Sequence, residues 1–389
     1  AISRASFENI PIHLVSAVPS LETFSNIKNK KYNHTRLISR YSDFPLPDAK
    51  VINLEKASLK GDQFIADETL ELIKNFLKKK EQVLFFLNRR GYAPFLICKK
   101  CGFKHLCTNC SIYLTYHKLV DKLICHHCGI KVKKQKICNA TKENCDFRMY
   151  GPGVEKIYDE LKKIFPNKNI KIFSSDFLSK KNETESILKK IEKNEIDILV
   201  GTQLISKGFN FPKLNCIVVV DADFSGMGYD LRTTEKNIQL YNQLSGRAGR
   251  FSSKSTIVYQ TATPLSETLK DVLENNPEKF LNNELIIRKN KNLPPYSRLI
   301  ALIISANSSQ DSFRAAQEIK KKLSAISQLD VLGPVDSPIF RVKKKYRTRL
   351  LLRSKNNNLI QKSVGKILDN LTISKKIKLT VDVDPINFA

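Results

Sequence analysis

The chain has 389 residues, enough for two to four domains that each bury a core. With 41% hydrophobic and 27% charged residues, its composition is that of a globular protein and excludes a disordered one. No apolar run approaches the roughly 18 residues of a membrane span. The first residues contain no signal-peptide core, so we expect a cytoplasmic protein with no membrane partner.

The charge of the chain favours a polyanionic partner. Sixty-six basic residues against 38 acidic ones leave a formal net charge of +28. Lysine and arginine release condensed counterions when they bind phosphates, so an excess of this size indicates nucleic acid. The alternative is the lysine-rich usage of an AT-rich genome, but such drift does not suppress aspartate and glutamate.

Helices and strands are predicted to alternate from residue 68 to residue 260. Apolar residues at helical spacing predict a helix from residue 68, and Val83–Leu87 predicts a buried strand. After a cysteine-rich stretch, a second helix ends before Pro166. The segments that follow are predicted as strand, helix and three strands, at 170–173, 187–191, 196–200, 217–220 and 255–260. This alternation predicts a parallel α/β sheet, the architecture of one RecA-like motor lobe.

The last hundred residues predict a separate small domain. Residues 264–292 are helical and charged in pattern, and they end in Asn292-Leu293-Pro294-Pro295, which is typical of a domain boundary. The order beyond is βαββαβ, as in a ferredoxin-like α+β domain. Its strands are predicted near 299–305, 330–333 with 339–341, 346–353 and 378–383, and its helices at 310–327 and 357–371.

Eight of the nine cysteines are clustered, which in a chain without a secretory signal favours metal over disulfides. Three pairs have C-x2-C spacing, and two such pairs complete one tetrahedral structural zinc site. Eight thiolates therefore predict two zinc ions, with the ligands Cys98, Cys101, Cys107, Cys110, Cys125, Cys128, Cys138 and Cys145. The last pair is separated by six residues, so it closes its site through a longer loop, or one of its cysteines is replaced by His105, His126 or His127. A site with four protein ligands has no open position, so we expect no catalytic role for the metal.

Two segments indicate a nucleic-acid motor. Gly201–Phe209 directly follows the strand 196–200, and a Gly-Thr turn there offers backbone N–H groups to a phosphate of DNA or nucleotide. In Gln243–Arg250, the residues Arg247 and Arg250 are three apart and predicted to share one helical face, from which one can reach a γ-phosphate as an arginine finger. A lone R-x-x-R also fits a solvated helix, but its combination with the first segment favours a motor. The expected further contacts are Thr202 and Lys207 to nucleic acid, and Gly208, Gln243 and Gly246 to the nucleotide.

Further motifs are distributed along the chain: Phe86–Pro94, Cys125-His126-His127-Cys128, Gly151-x-Gly153-x-Glu155, Lys207–Pro212, Asp221-Ala222-Asp223, Leu231-Arg232 with Glu235, and Asp382–Pro385. Together they resemble the bacterial primosomal replication-restart helicases, the PriA (primosomal protein N′) family, over essentially the whole chain. The resemblance implies a superfamily 2, ATP-dependent 3′→5′ DNA helicase that rebuilds the replication machinery at stalled or branched forks. It implies branched or single-stranded DNA, the single-stranded-DNA-binding protein and other primosome proteins as partners.

The resemblance also implies a nested pairing of the zinc ligands. The outer cysteines (Cys98, Cys101, Cys138 and Cys145) would hold one ion and the inner ones (Cys107, Cys110, Cys125 and Cys128) the other. Cys145 departs from the family's usual spacing.

Leu14–Thr23 resembles the family's Ser-Ala-Thr-Pro motif, with Val18 in place of threonine; in the family, this motif lies late in the first motor lobe. The 389 residues contain no G-x-x-x-x-G-K-[S/T] phosphate loop and no acidic Mg²⁺ box of the family's type. We therefore expect a fragment or a split-gene product that hydrolyses no ATP alone and uses ATP and Mg²⁺ only with the missing first lobe. The expected parts are a remnant of that lobe (1–45), the second lobe (46–96 and 149–263), the zinc insertion (97–148), a linker (264–292) and the α+β domain (293–389).

A basic strand near the C-terminus is a second candidate for contact with nucleic acid. Arg347, Arg349 and Arg353 share one face of the predicted strand, above an apolar face, and such a strand can follow a DNA backbone. The alternative is a solvated edge strand that charge keeps from aggregating. We favour contact with DNA.

Two other functions are compatible with parts of the pattern. A non-catalytic zinc adaptor for DNA or protein would explain the cysteines, but it has no use for the arginine pair Arg247 and Arg250. An RNA helicase would explain the motor segments, but the cysteine module and the C-terminal motifs argue against it.

Overall fold

A computed structural model describes the chain outside residues 38–43, 60–62, 88–94, 99–100, 102, 118–120, 126, 134–136, 139–140, 142–143, 145–146, 151–152, 174–180, 203–210, 224–230, 252–253, 265–266, 275, 356 and 387–389. Of the residues predicted above as metal ligands or as contacts to nucleic acid or nucleotide, His126, Cys145, Lys207 and Gly208 therefore lie outside the described residues. None of the helices that the structure describes is long and apolar enough to cross a lipid bilayer.

The centre of the molecule is a six-stranded parallel sheet. Its strands are β1 (Asp48–Asn53), β2 (Gln82–Phe86), β8 (Ile170–Phe173), β9 (Ile198–Gly201), β10 (Leu214–Val219) and β11 (Thr256–Thr261), in the order β1-β11-β10-β2-β9-β8. Every neighbouring pair in this sheet is parallel. The predicted parallel α/β lobe is confirmed, with one strand, β1, that the sequence pattern did not reveal.

Helices cover both faces of this sheet. They are α2 (Leu21–Lys28), α3 (Asp67–Lys78), α4 (Val154–Ile164), α5 (Lys181–Glu192), α6 (Thr233–Ser245), α7 (Glu267–Leu273) and α8 (Pro277–Asn290). A further helix, α1 (Ile2–Glu8), precedes them in the chain. Alternate residues of each strand face opposite cores: Val83 and Phe85 pack with α3 and α4, whereas Leu84 and Phe86 pack with α6 and α8. Because both faces are buried, the central strands are continuous apolar runs.

The segments at 1–45 and 264–292 both contribute to the second of these cores. Leu21 and Phe24 from α2, and Phe280 and Leu281 from α8, are at most 5% exposed and pack in the same cluster as Ile217 of β10. Helices α2 and α8 are therefore packed against the sheet. The division of the chain into a lobe remnant at 1–45 and a linker at 264–292 stays a proposal about domain organisation.

One charged side chain in this core is fully buried. Arg288 of α8 is 1% exposed and donates to Glu284 Oε1 (2.9 Å), to the Pro294 carbonyl (3.1 Å) and to the Leu231 carbonyl (2.7 Å). A buried guanidinium is tolerated only when it is paired in this way. Through its two carbonyl partners, Arg288 joins α8 to the start of α6 and to the boundary before the last domain.

We expect Arg288→Met to lower the free energy of unfolding by on the order of 3 kcal/mol, because it leaves Glu284 without its partner and two partly buried carbonyls without this donor. Urea denaturation measures the loss. The matched control is Arg36→Met, which removes an exposed ion pair with Glu278 at 2.9 Å and should cost less than about 1 kcal/mol. Equal losses in the two variants would contradict the assignment of Arg288 as a structural cross-link.

The C-terminal domain has the predicted βαββαβ order. It consists of β12 (Arg298–Ala306), α9 (Ser309–Leu323), β13 (Asp330–Val342), β14 (Lys345–Ser354), α10 (Asn357–Asp369) and β15 (Lys378–Val383). The sheet is antiparallel with the order β13-β14-β12-β15, and the helices bury one face of it. The two short strands predicted at 330–333 and 339–341 are one strand, β13, whose register shifts twice. Pro334 and Pro338 lie in the irregular part and cannot donate to a ladder.

Candidate zinc centres and motor site

The cysteine module is an insertion that begins and ends on a pair of strands. β3 (Phe95–Cys98) pairs antiparallel with β7 (Phe147–Tyr150), so the chain leaves and rejoins the lobe between β2 and α4 at one place. Between them, β4 (Thr115–His117), β5 (Lys122–Ile124) and β6 (Lys131–Lys133) form a three-stranded antiparallel sheet.

The structure brings the four inner cysteines together. Their Sγ atoms lie within 4.8 Å of one another, and the Sγ atoms of Cys107 and Cys128 are 3.6 Å apart. Thiolates at about 2.3 Å from a tetrahedral zinc are separated by about 3.8 Å, so the cluster fits this ion. Tight turns set the geometry: the Cys107 amide donates to the Ile112 carbonyl and the Cys125 amide to the Ile130 carbonyl.

Two inner thiols have pKa values that are shifted in opposite directions. Hydrogen bonds to the Cys128 sulfur lower its pKa to about 7 against the effect of burial. Burial raises the pKa of the Cys110 thiol to about 12, and the backbone N–H of Lys343, which donates to this sulfur at 3.4 Å, acts in the opposite direction. Zinc binds the thiolate form, so the ion would supply the positive charge that stabilises these sulfurs.

The three outer cysteines that the structure describes are also brought together. Sγ atoms of Cys98, Cys101 and Cys138 lie within 4.8 Å of one another, with 3.5 Å between Cys101 and Cys138. Cys145, the expected fourth ligand, lies outside the described residues. Of the alternative histidines, His105 and His127 are in neither cluster. His105 is buried instead between Phe103 and Phe147, where burial lowers its pKa.

The turn with the two arginines differs from its prediction. Helix α6 ends at Ser245, so Arg247 and Arg250 follow the helix and do not share a helical face. The residues after α6 form a turn in which Gly249 has a left-handed φ of +67°, a conformation that glycine adopts readily, and the Gly249 amide donates to the Leu214 carbonyl. The arginines are still neighbours: burial and the charge of Arg250 lower the pKa of Arg247, and Arg250 Nε donates to the Gly246 carbonyl at 3.1 Å.

The two motor segments lie at opposite ends of the parallel strands. Thr202 directly follows β9 at its carboxyl end, whereas Gly249 is bonded to Leu214, the first residue of β10. Gln243 and Gly246 are at the end of α6, next to the arginines. In the described residues, therefore, Thr202 is not brought together with the arginine turn.

The side chain of Asp223 links two loops at the carboxyl edge of the central sheet. Asp223, which follows β10, accepts from the backbone N–H groups of Ala262 (3.0 Å) and Thr263 (3.1 Å) and from the Thr261 hydroxyl. Burial alone would raise the pKa of Asp223, but these hydrogen bonds outweigh it and lower the pKa. The side chain therefore organises the loop after β11.

A charged network at the start of α6 is a feature that the sequence analysis missed. Arg232 binds both carboxylate oxygens of Glu22 in α2, one of them at 3.2 Å. Glu235 is 3% exposed, and burial, with the nearby charge of Glu22, raises its pKa. Gln239 also donates to the Val18 carbonyl at 3.3 Å. The segment that resembles Ser-Ala-Thr-Pro is thus fixed to the helix that leads into the arginine turn; the only sequence signal was the motif of Leu231, Arg232 and Glu235.

The three arginines of β14 share one face of the strand, as predicted, but they are not equivalent. Arg347 and Arg349 are half-buried, and burial lowers the pKa of each. Arg353 donates to Asp330 Oδ2 at 2.9 Å and to the Lys291 carbonyl at 3.3 Å. Its guanidinium is therefore already engaged within the protein.

Three family models match the chain: the primosomal protein N C-terminal domain at residues 289–386, the helicase conserved C-terminal domain at 131–252, and the PriA DNA helicase Cys-rich region domain at 107–132. Because the helicase model matches residues 131–252, the alternative function considered above, a non-catalytic zinc adaptor, is not favoured. A solved structure of Saccharomyces cerevisiae Dbp5 bound to RNA and ADP BeF3 is 12% identical and covers 73% of this chain and 57% of that one, with a TM-score of 0.36.

Curated relatives match along the entire chain. The replication restart protein PriA of Rickettsia conorii is 36% identical over 388 residues, which are 100% of this chain and 60% of that protein. That of Bacillus subtilis is 30% identical over 99% of this chain and 48% of its own length. The chain thus spans at most 60% of these relatives. Models and relatives agree that it belongs to the PriA family of replication restart proteins, whose C-terminal portion it matches.

Proposed function

We propose that this chain supplies the second motor lobe, the zinc module and the C-terminal domain of an ATP-dependent 3′→5′ DNA helicase that acts in replication restart at stalled forks. The observation that carries the proposal is the six-stranded parallel sheet, which holds Thr202 at the carboxyl end of β9 and the arginine turn at the amino end of β10. Segments at opposite ends do not contact the same phosphate. We therefore assign Thr202 to DNA, and Arg247 and Arg250, with Gln243 and Gly246, to ATP. Lys207 and Gly208 lie outside the described residues, so their assignments, Lys207 to DNA and Gly208 to ATP, rest on the sequence motif and not on this geometry.

The partners follow from this role. Branched or single-stranded DNA is the substrate, and the single-stranded-DNA-binding protein and other primosome proteins are the protein partners, in the cytoplasm. ATP and Mg²⁺ act when a first motor lobe completes the site. The domain division given above, with the zinc insertion at 97–148, belongs to the same proposal and is supported by the β3–β7 pair that bounds this insertion.

We expect two zinc ions per chain, one in each cysteine cluster. Elemental analysis of protein purified without added metal measures the ratio. Cys145→Ser should lower it to about one, whereas Cys216→Ser, the matched control at a buried cysteine of β10 outside both clusters, should leave it at two. A ratio of two in Cys145→Ser would remove Cys145 from the outer site, and a ratio of zero in the parent chain would refute both sites.

We expect DNA binding that depends steeply on salt and runs in part through Arg347 and Arg349. Neutralising about six phosphates would weaken binding on the order of 10³-fold between about 50 and 200 mM salt. Each of Arg347→Ala and Arg349→Ala should reduce the slope of log K against log salt by about 0.7 to 0.9. Fluorescence anisotropy with labelled single-stranded and forked DNA gives both slopes.

The matched control for this experiment is Arg353→Ala. It removes the same charge from the same strand, but Arg353 is paired with Asp330, so the slope should hardly change. An equal reduction in all three variants would show a general effect of net charge. An unchanged slope in Arg347→Ala and Arg349→Ala would assign this face to solvent.

A further inference from the structure

The hairpin between β13 and β14 reaches from the C-terminal domain to the zinc module. Its two-residue turn, Lys343-Lys344, has φ values of +50° and +66°, the left-handed pair that fits the twist of a tight hairpin. The backbone of Arg341 exchanges two hydrogen bonds with Ser111: its carbonyl accepts from the Ser111 amide and its amide donates to Ser111 Oγ, both at 2.9 Å. These residues are 230 positions apart in the sequence.

The hairpin contacts the metal-binding loop itself. Thr108 and Asn109 lie between the inner ligands Cys107 and Cys110, and both of their carbonyls accept from the hairpin: Thr108 from the Arg341 guanidinium at 3.2 Å, and Asn109 from the Lys344 amide at 2.7 Å. The loop backbone is therefore held at each of its two central residues. These contacts form only while the loop keeps the conformation that directs its two sulfurs to one point.

Two more contacts involve the ligands and the small core around them. The Lys343 amide donates to Cys110 Sγ at 3.4 Å. The side chain of Val342 packs against the apolar cluster that contains Cys107, Cys110 and Leu114. Four thiolates around one Zn²⁺ leave a net charge of −2, which N–H donors to sulfur stabilise.

We propose that the Arg341–Lys344 hairpin tip is a built-in part of the inner zinc site, which docks the C-terminal domain on the metal-bound loop and retains the metal in return. The coupling is reciprocal because the loop conformation that binds zinc is the one that binds the hairpin. Undocking the hairpin therefore accelerates zinc loss from the inner site alone, and zinc loss from the inner site exposes the hairpin amides. The proposal rests on zinc occupancy of this site, which elemental analysis establishes separately.

The first test is zinc release from the full chain into a chromophoric chelator. Val342→Asp places a carboxylate in the apolar contact beside the thiolates and should speed release from the inner site by about tenfold or more, with the outer site unchanged. The inner site is identified in a background with Cys101→Ser and Cys138→Ser, which removes two of the three described cysteines of the outer cluster. Val335→Asp is the matched control, because it makes the same change at a valine of the same strand that is 51% exposed, and its release should equal that of the parent. Equal release from Val342→Asp and the parent would overturn the proposal.

The second test needs no substitution. Hydrogen exchange followed by mass spectrometry should show protection of the segment 341–345 in the zinc-loaded chain and loss of that protection when the zinc is chelated. Segment 300–304 of β12 should stay protected in both states, which shows that the C-terminal domain remains folded. Unchanged protection of 341–345 after zinc removal would overturn the proposal. Loss of protection in β12 as well would overturn it too, because the metal would then be stabilising the whole domain.

Discussion

Arg247→Ala or Arg250→Ala should lower ATP turnover by roughly 10³-fold or more, for whichever arginine acts as the finger, in a complete protein that contains the first motor lobe. The guanidinium acts on the charge that develops on the γ-phosphate as the bond breaks, so its loss raises the barrier rather than weakening binding. The glycine-anchored turn holds both arginines close together after α6. We expect kcat to fall while nucleotide binding changes far less, because the other lobe supplies most ground-state phosphate contacts.

Arg247→Ala and Arg250→Ala should have different effects on the structure of the turn. Arg250 also bonds the Gly246 carbonyl, so Arg250→Ala loosens the turn, whereas Arg247→Ala removes a half-buried guanidinium that lies beside that of Arg250. Steady-state kinetics should therefore be paired with a thermal melt of each variant. Arg314→Ala, at an exposed arginine of α9, is the matched control and should retain parental turnover. Near-parental kcat in both Arg247→Ala and Arg250→Ala would refute the finger assignment.

Local periodicity predicted most of the fold, and tertiary pairing explains what it missed. Val83–Phe85 and Ile217–Val219 are continuous apolar runs, which a parallel sheet buried on both faces requires. β1, in contrast, is an edge strand with exposed residues at Asp48–Lys50, and it is a strand only because it pairs with β11. The six residues of β1 contain no pattern that would predict this pairing.

At the zinc centres and the motor site, too, local sequence patterns predict residues but not long-range contacts. C-x2-C spacing is a local pattern, so it predicted six of the seven described cysteines that the structure brings into two clusters; the seventh, Cys138, was predicted from its place in the cysteine-rich stretch. The contact between Lys343 and Cys110 joins surfaces far apart in the sequence through backbone groups, which residue types do not specify. Charged residues such as Arg288 and Glu235 are expected in solvent, and they are buried here because partners from other segments surround them.

We expect the 389-residue chain, purified alone, to release phosphate from ATP no faster than a buffer blank, with or without single-stranded DNA. Phosphoryl transfer needs Mg²⁺ at the β- and γ-phosphates, N–H donors and a lysine around them, and an arginine that closes from the other side. In the function proposed here the arginine turn would supply the closing side, and the sequence has no phosphate-loop motif to supply the other. An arginine without a positioned phosphate contributes neither proximity nor electrostatic stabilisation.

Complementation separates this explanation from simple misfolding. A separately expressed first lobe from a PriA relative should restore DNA-stimulated turnover to the parent chain but not to its Arg247→Ala and Arg250→Ala double variant. Circular dichroism of the chain alone should meanwhile show its folded helices and strands. Turnover by the lone chain that survives repurification and disappears in the double variant would mean that a complete nucleotide site exists within these 389 residues. In that case the phosphates would be held by groups other than a phosphate loop, and the arginine turn would be acting on a substrate bound entirely by this chain.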